Sequence, residues 1–407
     1  MALVNVIVEL TEVKDEYIRQ LDMIMKAIRH VSHRTNTVSG TVEETDIPRI
    51  RSIPFVRAVY IDQEFRISSS NFVAPEKPVD FLSMSGKFIT TGQAIEFMNG
   101  ADVNGGKGVK VAVLDTGVNS RHPALRDKVI KHIQVAPGDI YDGKFGHGTW
   151  VAGAIASNYA TIEIGDIRGV APKAEIINVK ILTDDGIGMT SYIIEGIDKA
   201  LDAGAKVLNM SLASPSICPP PLVNAIQSAV KEGAFVVCAG GNFGNQSSVG
   251  CPASLKETIS VGSVYPYTNG QVEIKVSSFS PQGVDVVAIG GSIDPPVYVV
   301  STVKGYYYGM AGTSMAAPFV SGLIALLLEK KPDLTLEQLY STLAKTSINW
   351  KGGKDPYLGY GLINIGGAVK YVAQGVFEPV EVPEVSGEVN PLALLLLLGL
   401  GWLLVKK

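Results

Sequence analysis

An α/β protein is what this sequence predicts: a three-layer arrangement of a mostly parallel sheet with helices on both faces, behind a small α+β domain. Two observations carry that prediction. Between about Gly86 and Ala373, short continuous apolar runs alternate with amphipathic stretches of helical length, the pattern of a parallel sheet buried on both faces. Before residue 80 the periodicity differs and reads strand, helix, strand, strand, helix, strand, a ferredoxin-like βαββαβ plan. A chain of 407 residues with 46% hydrophobic content is long enough for a large core, a second small domain and a tail.

In residues 1–80 the opening VNVIVEL alternates as a strand does, without the positive flank and apolar block of a secretory leader. KDEYIRQLDMIMKAIRH then sets Tyr17, Ile18, Leu21, Ile24, Met25 and Ile28 on one stripe, which predicts a helix over 14–30. TVSGTVEE follows, TDIPRIRSIP fits a short helical turn, and VRAVYID reads as the last strand. The exit, QEFRISSSNFVAPEKPVDFLSMSG, is polar and carries prolines.

In residues 86–373 the predicted buried strands are VKVAVLD, AEIINVKIL, KVLNMSL, AFVVCAGG and TISVGSV. SYIIEGIDKALDAG and PPLVNAIQSAVKEG are the helical crossovers between them. Beyond lies an acidic, proline-bearing linker, 374–390, and an apolar C-terminal segment, 391–407. Leu392 to Val405 would make a helix of fourteen residues, roughly 21 Å against a hydrocarbon core of roughly 30 Å. Trp402, Lys406 and Lys407 suit interfacial anchoring. The expectation is a membrane-associated protein facing outside the cell. The alternative is a hydrophobic helix docking on the protein or a partner.

The formal charge of −4 contains no block of like charges, which argues against nucleic acid as a partner. The three cysteines, Cys218, Cys238 and Cys251, form no CxxC pair and no Cys/His cluster, so zinc is not indicated. Cys238, inside AFVVCAGGN, reads as a buried free thiol.

Three short motifs carry the chemistry. Asp115 closes the apolar strand KVAVLDTG, at the carboxyl end where open α/β sheets place ligands. His147 opens the small-residue helix of FGHGTWVAGAIAS, and Ser314 opens another in GMAGTSMAAPFVSG, where Gly312 permits close approach. Amide hydrolysis needs an activated nucleophile, a base near neutral pKa and donors for the developing oxyanion. The chain has only five histidines: His30, His33, His122, His132 and His147. Only His147 has a supporting motif. His122, in SRHPAL, reads as a structural loop residue.

The order Asp, His, Ser, with GTSMAAP around the serine, resembles the subtilisin-like serine proteases, whose chain order differs from chymotrypsin-like enzymes and α/β hydrolases. That resemblance implies Asp115, His147 and Ser314 as the triad. It also implies Asn242, in VVCAGGNFGN, as side-chain oxyanion donor beside the backbone N–H of Ser314. It implies that Gly186, Ile187 and Gly188 form one edge for an extended substrate, and Ser211, Leu212 and Ala213 the other. Ala239, Gly240 and Gly250 would wall the primary pocket. Ala213 and Ser214 replace the family's Gly-Gly, which narrows that pocket, and a preference for apolar side chains is expected. GYGLINIGGAVKYV is a family-like domain end.

By the same resemblance, residues 1–80 are a propeptide that acts as chaperone and intramolecular inhibitor, with self-cleavage somewhere in 63–90. The alternative is a permanent regulatory domain. The family brings the loops of Cys218 and Cys251 together, so these are either one disulfide or two unpaired thiols. The chain departs from the family at Trp150 and Phe319, where histidines are usual, and at Ala124, where many members have a calcium-binding Asp. Glu163 and Asp166 offer oxygen atoms of the kind calcium prefers, but two acids do not define a site and no metal ligand is assigned. No cofactor is required for the chemistry; structural calcium is an open expectation.

The reading is therefore a serine endopeptidase acting on protein or peptide substrates through an acyl-enzyme. A silent scaffold that kept the fold, and an esterase, are the rivals. The first would require the four positions not to assemble; the second lacks a GxSxG elbow.

Overall fold

Burial is continuous along the central strands, and in the first strand Val6, Ile7 and Val8 are also buried in succession, Val6 and Val8 in one core and Ile7 in another. The structure is a computed structural model that describes residues 2–67, 87–268, 272–348 and 354–378. The exit segment beyond residue 67, most of the linker and the expected helix Leu392–Val405 lie outside the described residues.

The first sheet comprises β1 (Leu3–Leu10), β2 (Ala27–Ser32), β3 (Thr37–Glu43) and β4 (Val56–Ile61), with α1 (Asp15–Asp22) and α2 (Ile47–Arg51) on one face. Its order is β2-β3-β1-β4, all neighbours antiparallel, which is the ferredoxin-like arrangement expected. Val6, Val8, Leu21, Val38, Ile50 and Val59 form its own core. The helix expected over 14–30 is shorter. It ends at Asp22, Met23 is 78% exposed, and Ile28 lies in β2, where Ala27 pairs with Thr41 and Ser32 with Thr37. The stretch IRHVS suits a strand as well as a helix, and cross-strand pairing decides between them.

Next come β5 (Glu64–Arg66), β6 (Lys87–Thr90), α3 (Thr91–Phe97), β7 (Lys110–Asp115), β8 (Val129–Gln134), α4 (His147–Ala156), β9 (Ala160–Ile162), β10 (Gly165–Ile167), β11 (Glu175–Lys180) and β12 (Ile187–Met189). They are followed by α5 (Thr190–Asp202), β13 (Val207–Met210), α6 (Pro220–Lys231), β14 (Phe235–Ala239), β15 (Thr258–Thr268), β16 (Val272–Val276) and β17 (Val286–Ile289). The series closes with β18 (Ser292–Ile293), β19 (Pro296–Val303), β20 (Tyr306–Met310), α7 (Thr313–Lys330), α8 (Leu336–Thr346) and α9 (Ile365–Gln374). The large sheet runs β16-β15-β14-β13-β7-β11-β8, with β17 also on β15, and every pairing but β15–β16 is parallel. The five strands and two crossover helices expected from sequence all form.

Two cores fill the layers. One packs α4 and α7 on one face of the sheet, the other packs α5 and α6 on the opposite face. Helix α7 is long and apolar enough to cross a membrane, yet it is 89% buried, so it is the core helix of this domain. Pro318 sits inside it, and the carbonyl it leaves without a helical N–H, that of Ser314, accepts the Ser211 hydroxyl at 3.0 Å.

The small domain docks on α5 and α6. The Asp62 carboxylate, nearly buried, accepts the Ser191 N–H at 2.9 Å and its hydroxyl at 2.5 Å, capping the first turn of α5. His30 meets Asp198 at 2.8 Å, and Arg34 reaches both Asp202 and Glu232 at 2.8 Å. The Arg29 guanidinium lies 4.1 Å from the Tyr192 ring centre.

Candidate active site

Asp115, His147 and Ser314 come from a strand end and two helix starts, and the fold brings these to the carboxyl edge of the sheet. All three are at most 3% exposed. Asp115 Oδ1 receives the His147 Nδ1 proton at 2.8 Å and the Thr116 N–H at 2.7 Å. Its Oδ2 has no partner among the described residues. Burial drives the His147 pKa down, but the charge and hydrogen bond of Asp115, with Asp142 behind, outweigh it and the net shift is upward.

Gly148 follows the histidine because nothing larger fits: a Cβ there would stand 2.1 Å from the Gly117 carbonyl oxygen. Ser314 donates its hydroxyl to the Ser211 carbonyl at 3.0 Å. The Ser211 hydroxyl returns a bond to the Ser314 carbonyl, and Asn209 and Ser321 extend this chain beneath it at 3.0 and 2.8 Å. The nucleophile's backbone is thus fixed from below.

Asn242 is oriented by Thr313, whose N–H and hydroxyl both donate to Oδ1 at 2.9 Å. The amide nitrogen Nδ2 is therefore the end left for another acceptor, on the side of Gly312, where a Cβ would stand 3.0 Å from it. The Ser314 N–H belongs to the first turn of α7 and has no intrahelical acceptor.

The two edges expected to bind an extended chain are both present, and both are occupied. Strand β5 pairs antiparallel with β12, Arg66 against Ile187 and Phe65 against Gly188. The Ile67 N–H donates to the Gly186 carbonyl at 3.0 Å, and the Ala213 N–H donates to the Arg66 carbonyl at 3.3 Å. Phe65 is 1% exposed and packs in the same cluster as Leu212. Behind Ala213, Ser214 and Cys251 exchange two backbone bonds of 2.8 Å, and Gly250 N–H donates to the Gly240 carbonyl at 2.9 Å beside Ala239. Cys218 and Cys251 are joined as a disulfide, which decides between the two readings of those thiols; Cys238 is free and buried.

Other histidines fall elsewhere. His122 accepts the Ala124 N–H and meets the Tyr306 carbonyl, holding a loop, and His132 bonds Ser120 and Asn178. Trp150 takes one usual histidine position and donates its indole N–H to the Val299 and Tyr308 carbonyls at 3.2 and 3.1 Å. Buried Ala124, which stands where many family members carry a calcium-binding Asp, supplies no oxygen side chain for that ion. Among the described residues no group of three or more His, Cys, Asp or Glu could hold a metal.

Asp142, Thr116 and Lys180 belong to the site as well and were not expected from sequence. The Lys180 side chain is fully buried and its ammonium donates to the Thr116 carbonyl at 2.6 Å and to Asp184 at 2.8 Å. The threonine after Asp115 and the acid five residues before His147 were the available signals.

A buried, hydrogen-bonded Asp–His pair, a buried serine at a helix start and strand-accepting edges are the features of a serine hydrolase that handles extended polypeptide. The Peptidase_S8 family model, described as the subtilase family, matches residues 106–364. The chain belongs to the subtilase family and is a serine endopeptidase of the subtilisin type. It is 41% identical over 235 residues to the major intracellular serine protease of Bacillus subtilis strain 168, covering 54% of this chain and 69% of that protein. It is 37% identical over 271 residues to subtilisin DY of Bacillus licheniformis, covering 65% and 92% respectively. Among solved structures, fervidolysin from Fervidobacterium pennivorans, a keratinolytic enzyme related to subtilisin, aligns at a TM-score of 0.70 and 24% identity. That alignment covers 91% of this chain and 61% of fervidolysin and speaks to the fold alone. Subtilases need no cofactor for their chemistry.

Proposed function

We propose that Ser314 is the nucleophile, His147 its base, Asp115 the residue that orients and stabilises the imidazolium, and Asn242 with the Ser314 N–H the oxyanion donors. Rotation about χ1 takes the Ser314 hydroxyl from the Ser211 carbonyl toward His147, and apo sites commonly tighten only with substrate bound. His147 then takes the hydroxyl proton as Ser314 Oγ attacks the peptide carbonyl, and returns it to the leaving amine. Water repeats the sequence on the acyl-enzyme.

The N-terminal domain is read as a self-cleaving inhibitor. The single observation that carries this is Glu64–Arg66 lying as a strand between the two expected substrate edges, with the Ile67 N–H bonded to Gly186. Arg66 pairs antiparallel with Ala213, two residues beyond Ser211, the partner of Ser314. From that register we infer a first cut at the bond after Ser68.

Intact-mass analysis of the full chain and its Ser314→Ala form tests this. The parent should lose residues 1–68 while the alanine form stays whole. A parent that stays whole, or an alanine form that is cut equally, overturns self-processing; a cut at a distant bond overturns the assigned register.

A further inference from the structure

Asp142 lies in the loop between β8 and α4 with its backbone in the left-handed region, φ 73°, and is 1% exposed. Its Oδ2 accepts the Thr149 N–H at 2.6 Å, and its Oδ1 accepts the Thr116 hydroxyl. Thr116 in turn accepts the Gly148 N–H at 3.1 Å and faces Asp115 Oδ1 at 3.2 Å. The residue preceding α4 is Gly146, which has no side chain to cap the helix. Asp142 and Thr116 supply the missing acceptors to two of its first-turn N–H groups.

That placement has an electrical consequence. His147 opens α4, where the positive helix end disfavours an imidazolium. A buried carboxylate at the same helix end offsets it. Thr116 has one hydroxyl proton and two carboxylates competing for it. While Asp142 is ionised it holds that proton, and Asp115 keeps its electron density for His147. Burial, opposed by the Thr116 and Thr149 hydrogen bonds, raises Asp142 to about 7. The other charged groups around it are Asp115 on β7, His147 on α4, Lys180 on β11 at the Thr116 carbonyl, and Asp139 and Asp184 in the adjoining loops.

We propose that Asp142 is a positioning residue of the catalytic machinery: its carboxylate, acting through Thr116 and the first turn of α4, sets both the aim and the basicity of His147. Nothing in this role touches substrate. It rests on the reading of His147 as the base, and the test separates the two.

The full chain, incubated to constant activity, is assayed on an extended peptide across pH 5 to 9 beside Asp142→Asn, Asp142→Glu and His147→Ala. Asp142→Asn should lower kcat about tenfold with KM little changed. It should also move the acid limb of the kcat/KM profile down by about 0.5 to 1 in pH, because the neighbouring negative charge that favours the imidazolium is gone. Asp142→Glu keeps the charge and should keep the limb where the parent has it. A folded Asp142→Asn protein with an unmoved limb overturns the proposal, whatever its activity. If His147→Ala retains activity, it is the base assignment that fails. Should Asp142→Asn not fold, the His147 ring nitrogens are titrated by NMR in the full-chain Ser314→Ala protein. A two-step titration, the imidazole sensing a second ionisation near neutrality, is the expected result; a single step overturns the proposal.

Discussion

Asn242 concentrates two duties in one side chain. Its Oδ1 is spent on Thr313, which fixes the start of α7, and in the proposed role its Nδ2 is left for the reacting oxygen. Truncation removes both. Asn242→Ala is expected to reduce kcat by about 10²–10³ with a much smaller change in KM, since the donor acts on charge that exists only in the transition state. That magnitude is the one established for the oxyanion asparagine of a subtilisin, and it carries over as a family value. Steady-state kinetics on a peptide anilide measures it, and equal losses in kcat and in 1/KM would show that ground-state binding is affected instead. Ser314 itself was legible in GTSMAAP, and so were Asp115 and His147, because each follows or opens a short motif. Asp142 was not legible in the same way. Its importance comes from a left-handed turn and two hydrogen bonds, across 26 residues of chain to Thr116 and seven to Thr149, and no local periodicity announces such a contact.

At the scale of elements, β5 is the informative one. Three residues make a strand only because β12 offers an edge to pair with, and EFR has no alternation long enough to be read beforehand. The longer strands β7, β11, β13, β14 and β15 were legible because burial on both faces leaves a continuous apolar run. The end of α1 was not, since IRHVS satisfies either period until β3 pairs with it. Phe65 is the anchor of β5. Losing its buried ring should weaken docking by about 1.5–3 kcal/mol, roughly tenfold to a hundredfold. In the full-chain Ser314→Ala protein, Phe65→Ala should tighten binding of a fluorescent extended peptide by a similar factor, because the competing strand vacates the edge more often. Polarisation titration reads this, and unchanged affinity would mean that other contacts hold the strand.

For the molecule as a whole, one covalent bond spans two parts of the substrate cleft. The disulfide joins Cys218, beyond the Ser211–Ala213 edge, to Cys251, next to Gly250, across a separation of 33 residues. Cross-linking a loop of that length removes denatured-state freedom corresponding to about 3–4 kcal/mol. Cys218→Ser in the Ser314→Ala background, where autolysis cannot interfere, should therefore lower Tm by several degrees. Scanning calorimetry with and without reductant checks it: reductant should bring the parent to the Tm of the variant and leave the variant unchanged. An equal Tm for parent and variant in oxidising buffer would mean that the loop is already held by the Ser214–Cys251 backbone pair.

The two ends of the exit segment are held by different neighbours. Glu64–Arg66 pairs with β12 in the cleft, whereas Lys87–Thr90 pairs with β19 and leads directly into α3. A cut between them leaves each end anchored to its own neighbour. While the chain is continuous, the small domain is a tethered ligand whose effective concentration at the cleft is set by chain length, on the order of millimolar for a short linker. On the proposed cleavage it becomes a separate molecule, and its occupancy follows mass action. The same severed pair would remain closed where the enzyme is crowded with its own copies and open on dilution, so that protein concentration, with no further chemical step, sets the fraction able to work.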